Sequence, residues 1–174
     1  VIDASVAYVM NDMLQDVFDY GTAARARSLG FRQPYAGKTG TTSNYRDAWF
    51  IGYSPRALSL VWIGFDDARS VRLAGSDACV PIWTSHMNRI AGLIPDVEWK
   101  RPEDVVSRQI DPESAQLSTP YCPQTRSEIF VSGTEPETVC ALHAGYGEPS
   151  PFWRDYGLPR GPGDYESEEE RRAA

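Results

Sequence analysis

Three runs of strand-forming residues follow one another with almost nothing between them. Residues 35–42 are small and β-branched, residues 47–53 aromatic and aliphatic, and residues 57–65 almost wholly apolar. The joints, Ser43-Asn44-Tyr45-Arg46 and Ser54-Pro55-Arg56, carry turn chemistry. A parallel crossover needs about a dozen residues or more, so these runs are expected to pair as an antiparallel meander. An apolar last strand then needs cover on both faces.

The flanking sequence offers helices to supply it. Val6, Val9, Met10, Met13, Leu14, Val17 and Phe18 recur at helical spacing, with Asp12, Gln15, Asp16 and Asp19 on the other face. Asp3 is placed to cap this helix and Gly21 to stop it. The Met10 and Met13 stripe reads as core. Thr22 is placed to cap a short second helix over residues 23–29, closed by Gly30. A third helix has Pro81 near its first turn and Trp83, Met87, Ile90, Ala91 and Ile94 on one side. The first and third helices are expected to cover opposite faces of the sheet. The fold class is therefore α+β, antiparallel strands flanked by helices.

Charge marks a boundary. The 174 residues carry a net −7, but residues 1–94 are net +1 and residues 95–174 net −8. Most of the prolines also lie in the second part. Three regions are expected: a compact part over 1–94, a loop-rich extension over 95–148, and an acidic, disordered tail over 149–174. The acidic balance argues against a nucleic-acid partner. No apolar run reaches the ~18 residues of a membrane span. Val1-Ile2-Asp3 offers neither an initiator Met nor a basic leader, so the chain is expected to be a piece of a longer polypeptide.

The chemistry is concentrated in Gly37-Lys38-Thr39-Gly40-Thr41-Thr42, which contains one of only two lysines, the other being Lys100. A phosphate-binding loop would need glycine where Arg32 stands and a helix after the threonine, and it has neither. On a strand, Lys38 and Gly40 point to one side and Thr39 and Thr41 to the other. Two glycines leave the backbone open to a ligand pairing along it. An ammonium and hydroxyls suit a carboxylate, and a backbone N–H near Thr41 could stabilise a tetrahedral oxyanion. Such a strand suits acyl transfer from a peptide that ends in a free carboxylate.

With the hairpin Arg46-Asp47-Ala48-Trp49-Phe50-Ile51-Gly52-Tyr53 behind it, this run resembles the transpeptidase domain of class A penicillin-binding proteins, whose Lys-Thr-Gly signature is well known. The resemblance extends to Gly21-Thr22-Ala23, to Val61-Trp62-Ile63-Gly64-Phe65-Asp66, and to Ala78-Cys79-Val80-Pro81-Ile82-Trp83. Cys122-Pro123, Gly133-Thr134-Glu135-Pro136, and Cys140 with His143 resemble the C-terminal extension of some members. It implies a part of a serine D,D-transpeptidase acting on peptidoglycan stem peptides ending in D-Ala-D-Ala and acylated by β-lactams. It also implies an extracytoplasmic setting, an anchor and a glycosyltransferase in upstream sequence, and no cofactor. Lys38, Thr39 and Thr41 would hold the substrate carboxylate, and Lys38 and Thr41 would take part in catalysis. The Thr41 N–H would be half of an oxyanion hole, and Gly40 would keep the strand low.

Two family motifs are absent from this sequence. The positions three before Lys38 and Lys100 are Tyr35 and Val97, so there is no Ser-x-x-Lys, and there is no Ser-x-Asn. The chain alone is expected to be inactive and to depend on the upstream part of the same polypeptide. A non-catalytic extracellular peptide- or partner-binding module is the alternative.

Cys122 and Cys140, separated by seventeen residues in a proline-rich stretch, are expected to form a disulfide, which suits the oxidising compartment the resemblance requires. A zinc site is the rival. Cys140-Ala141-Leu142-His143 offers two ligands and Cys122 a third, but the usual second close-spaced pair is absent, and no metal is expected. Cys79 is expected as a buried thiol, and His86 and His143 as surface or core histidines.

Overall fold

The computed structural model describes residues 2–95, 97–143 and 145. The expected acidic tail over 149–174 lies outside them. The chain divides into two compact units, Val1–Pro102 and Glu103–Ala174.

The first unit is α+β. Helix α1 (Ala4–Asp19) and a short α2 (Arg25–Ser28) precede the meander of β1 (Ala36–Thr41), β2 (Asp47–Tyr53) and β3 (Leu58–Gly64), and α3 (Gly75–Ile90) follows it. The sheet order is β1-β2-β3, antiparallel throughout, with Lys38 opposite Ile51 and Trp49 opposite Trp62. Asp3 caps α1, its carboxylate accepting from Ser5 N–H at 2.9 Å and Val6 N–H at 3.3 Å.

β2 alternates strictly, burying Ala48, Phe50 and Gly52 on one face. Against this face Trp83 of α3 packs edge-on to Phe50, and Phe18 from the end of α1 meets both rings. Phe31 and Tyr35 complete the cluster. Gly52 is needed here, since a Cβ at that position would overlap the Trp83 ring.

Four expectations are corrected. The helices do not cover opposite faces: α1 and α3 converge on the Phe50 face, and Leu58, Leu60 and Trp62 on the other face of β3 stay exposed. The Met10 and Met13 stripe is not core, Met13 being 59% exposed, because of the α1 side chains only Phe18 reaches the aromatic cluster fully buried. Thr22 caps nothing. α2 begins only at Arg25, with Ala24 at the cap position, because the Thr22 hydroxyl is bonded instead to the Thr39 hydroxyl at 2.8 Å. α3 also starts earlier than Pro81 suggests, placing that proline inside the helix, where it lacks the N–H that would bond the Asp77 carbonyl.

The second unit has one hairpin among the described residues, β4 (Val105–Ile110) against β5 (Arg126–Val131). Beyond it a single residue stitches the chain together: Leu117 bridges to Ile110 on one side and to Val139 on the other. Leu117 N–H donates to Thr138 O at 3.0 Å, and Cys140 N–H donates to Leu117 O at 2.8 Å.

Candidate functional site

The Lys38 strand is an edge. Among the described residues β1 pairs on one side only, with β2. Thr42 N–H donates to Asp47 O at 3.0 Å, and this fixes the alternation along the strand. The backbone groups of Lys38 and Gly40 turn toward β2, and the N–H and C=O of Thr39 and Thr41 turn off the outer edge. Lys38 is exposed on the face shared with Gly40, and its Nζ folds back to donate to Thr39 O at 2.7 Å.

Thr39 and Thr41 lie on the opposite face. The Thr41 hydroxyl accepts from Gly75 N–H at 3.1 Å, tying the end of β1 to the start of α3. A side chain at position 75 would overlap Trp49 O and come 2.7 Å from Gly40 O, so only glycine lets the helix brace the strand here. The turn after β1 is pinned by Asp47, whose Oδ2 accepts from the Thr42 hydroxyl at 3.1 Å and whose Oδ1 accepts from Trp62 Nε1 at 3.1 Å. Asn44 and Tyr45 in that turn hold positive φ.

The four expected residues thus sit on one braced edge, with the ammonium above it and the two hydroxyls below. Thr22 joins them, although its sequence context suggests only a helix cap. Its contact with Thr39 spans seventeen positions, and the only signal for it is the Gly21-Thr22-Ala23 stop at the end of α1.

A second constellation lies in the other unit. The Cys122–Cys140 disulfide is not formed, since both residues, like Cys79, are buried thiols. The two sulfurs lie near each other and each has a further partner: Cys140 donates to Asp111 Oδ2 at 3.0 Å, and Cys122 Sγ accepts from Thr119 N–H at 3.2 Å. His143 is neither a plain surface nor a plain core histidine. Its Nδ1 lies 3.3 Å from Asp111 Oδ2 and 3.4 Å from Cys140 Sγ. One ligand-type atom from each of Asp111, Cys122, Cys140 and His143 falls within 4.8 Å of the others.

Asp111 is 1% exposed. Burial alone would raise its pKa, but hydrogen bonds from the Cys140 thiol, Ser114 and the Glu113 N–H outweigh it and hold the carboxyl down at about 2. The bridges at Leu117 bring Asp111 beside Cys140, because Asp111 N–H bonds Gln116 O while Cys140 N–H bonds the next residue along. Among the described residues no helix is long and apolar enough to cross a membrane.

Residues 101–145 match the family described as penicillin-binding protein 1A, C-terminal domain. The chain is 37% identical over 161 residues to penicillin-binding protein 1A of Pseudomonas aeruginosa, covering 91% of this chain and 20% of that protein. Penicillin-binding protein 1A of Aquifex aeolicus is 36% identical over 132 residues, covering 75% of this chain and 18% of the relative. The crystal structure of penicillin-binding protein 1A from Haemophilus influenzae superposes with a TM-score of 0.70 at 27% identity, over 80% of this chain and 22% of that one. The chain therefore spans about a fifth of the length of the relatives it matches. By sequence and by fold, the chain matches the C-terminal part of penicillin-binding protein 1A.

Proposed function

We propose that this chain supplies the carboxylate-binding wall of a peptidoglycan D,D-transpeptidase that works through a serine acyl-enzyme. One observation carries the reading: the N–H groups of Thr39 and Thr41 face away from β2 along a free strand edge, flanked by the Lys38 ammonium and the Thr39 and Thr41 hydroxyls. A stem peptide lying along this edge would pair with it as an added strand. Its terminal carboxylate would meet the ammonium and the hydroxyls, and its scissile carbonyl oxygen would meet the Thr41 N–H. Gly40 leaves the approach clear.

In the reaction, a serine hydroxyl borne by sequence other than this chain attacks the carbonyl of the penultimate D-Ala. The oxygen of the tetrahedral intermediate takes up the negative charge, which the Thr41 N–H stabilises. The C–N bond then breaks, the terminal D-Ala leaves as the amine carrying a proton, and an acceptor amine later displaces the serine ester. A preorganised donor at that oxygen is worth about 3 kcal/mol. Periplasmic placement, an anchor and a glycosyltransferase in the remainder of the polypeptide belong to the same reading.

Lys38→Ala in the full-length protein tests it. Acylation by a labelled penicillin should fall at least about a hundredfold, each factor of ten being about 1.4 kcal/mol of barrier. Unchanged acylation would leave the chain as a non-catalytic peptide-binding module. The 174-residue chain by itself should take up no covalent label, since it holds neither Ser-x-x-Lys nor Ser-x-Asn.

A further inference from the structure

Independently of the transpeptidase reading, we propose that Asp111, Cys122, Cys140 and His143 form a four-ligand zinc site that holds the second unit together. The interatomic spacing is the first support. Zn–S bonds of about 2.3 Å and Zn–N or Zn–O bonds of about 2.0–2.1 Å in a tetrahedron require ligand atoms roughly 3.3–3.8 Å apart. Cys140 Sγ and His143 Nδ1 are 3.4 Å apart, and His143 Nδ1 and Asp111 Oδ2 are 3.3 Å apart. Cys140 Sγ and Asp111 Oδ2, at 3.0 Å, need move apart by only a few tenths of an ångström.

The surroundings are those of a metal site. A ligating histidine characteristically gives its other ring nitrogen to a carboxylate, and His143 Nε2 lies 3.6 Å from Glu113 Oε2. The Asp111 carboxylate is fixed by the N–H groups of Glu113 and Ser114, at 3.4 and 3.2 Å. Thr119 directs its N–H at Cys122 Sγ and its hydroxyl at the His143 carbonyl, at 3.2 and 3.0 Å, joining two ligands far apart in the chain.

The donor set selects the ion. Two soft sulfurs with one imidazole favour zinc over magnesium or calcium, and four protein ligands in a closed shell suit a structural ion rather than a catalytic one. Binding replaces the two thiol protons, which pass to solvent, so the ligands carry three negative charges against the two positive charges of the ion.

The unit also needs such a centre. Among its described residues the fully buried side chains of any size are Asp111, Cys122 and Cys140, and the aromatic cluster belongs wholly to the first unit. A small unit whose described residues bury so little apolar side chain ordinarily relies on metal or disulfides. Here the thiols are not joined.

The test uses the full 174-residue chain, purified without refolding and analysed for metal by mass spectrometry. One zinc per chain should survive dialysis into metal-free buffer. Exchange with cobalt(II) should give thiolate-to-metal charge-transfer absorption and the intense visible bands of a tetrahedral site. Cys122→Ser and Cys140→Ser should each abolish that charge-transfer spectrum or sharply weaken it, and Cys79→Ala should leave it unchanged. Glu113→Gln should weaken zinc binding by about tenfold in competition with a chromophoric chelator. The cobalt spectrum is read on the unaltered chain, so it decides the question even where a variant fails to fold. Metal-free protein whose peptide map shows Cys122 joined to Cys140 would overturn the proposal. So would bound cobalt showing no thiolate band.

Discussion

The two units of this chain solve the same problem with different materials. In the first, order comes from rings: Phe18, Phe31, Phe50 and Trp83 pack at centroid distances of 4.9–5.7 Å, and the strands follow from what those rings exclude from water. In the second, the interior is two thiols, a carboxylate and a threonine, with Val105 as the only buried side chain, among the described residues, that is both apolar and sulfur-free. A ring cluster is tolerant, because each contact is one of many. A polar centre is all or nothing, since every unsatisfied member costs desolvation without return. Core composition thus predicts which perturbation each unit will feel.

Chelation should divide the units most sharply. Structural zinc contributes on the order of 10 kcal/mol to small domains, so a strong chelator should open the second unit to proteolysis after Arg108 and Arg126. The near-ultraviolet circular dichroism of the first unit's aromatic cluster should persist. Survival of both units would end the contrast.

Trp83→Ala is the converse and somewhat smaller perturbation. Removing a fully buried indole that touches four other rings should cost about 3–5 kcal/mol, seen as a lowered urea midpoint for the aromatic signal. The metal content of the chain should not change.

The smallest effect is electrostatic. Hydrogen bonds from its own N–H and from the Gly133 N–H hold the Glu135 carboxyl below its ordinary value of 4.5, and the Arg108 guanidinium, 2.6 Å away, adds to this. A depressed folded pKa gives stability that is present at pH above 4.5 and lost as pH falls through the folded value. Glu135→Gln should therefore lower the second unit's melting temperature slightly at neutral pH. The difference from the unaltered chain should vanish in acid.

Much of the first unit can be read from residue order alone. Turns of three and four residues permit only antiparallel neighbours, but which side of β2 is buried is not legible, since Trp49, Ile51 and Tyr53 make as apolar a face as Ala48, Phe50 and Gly52, the side the structure buries. Periodicity identifies a helix face but not what lies against it, which is why the Met10 and Met13 stripe looks like core and is not. Thr22 has the chemistry of a cap, and only the tertiary pairing with Thr39 decides otherwise. The second unit is the harder to read. Two cysteines and a histidine are visible as letters, but the fourth group, Asp111, is brought to them by bridges through Leu117 that follow no local pattern. Without that aspartate, a disulfide is the simpler reading of the same spacing.

The Leu117 stitch also sets a timetable. Both of its backbone partners, Thr138 and Cys140, lie beyond the hairpin, so a chain emerging from its N-terminal end cannot close this seam until residue 140 is free. During that interval the sulfur of Cys122 waits without the Cys140 thiol and the His143 imidazole, open to whatever oxidant it meets. The fate of this thiol is a race between synthesis and oxidation, decided before the folded molecule exists.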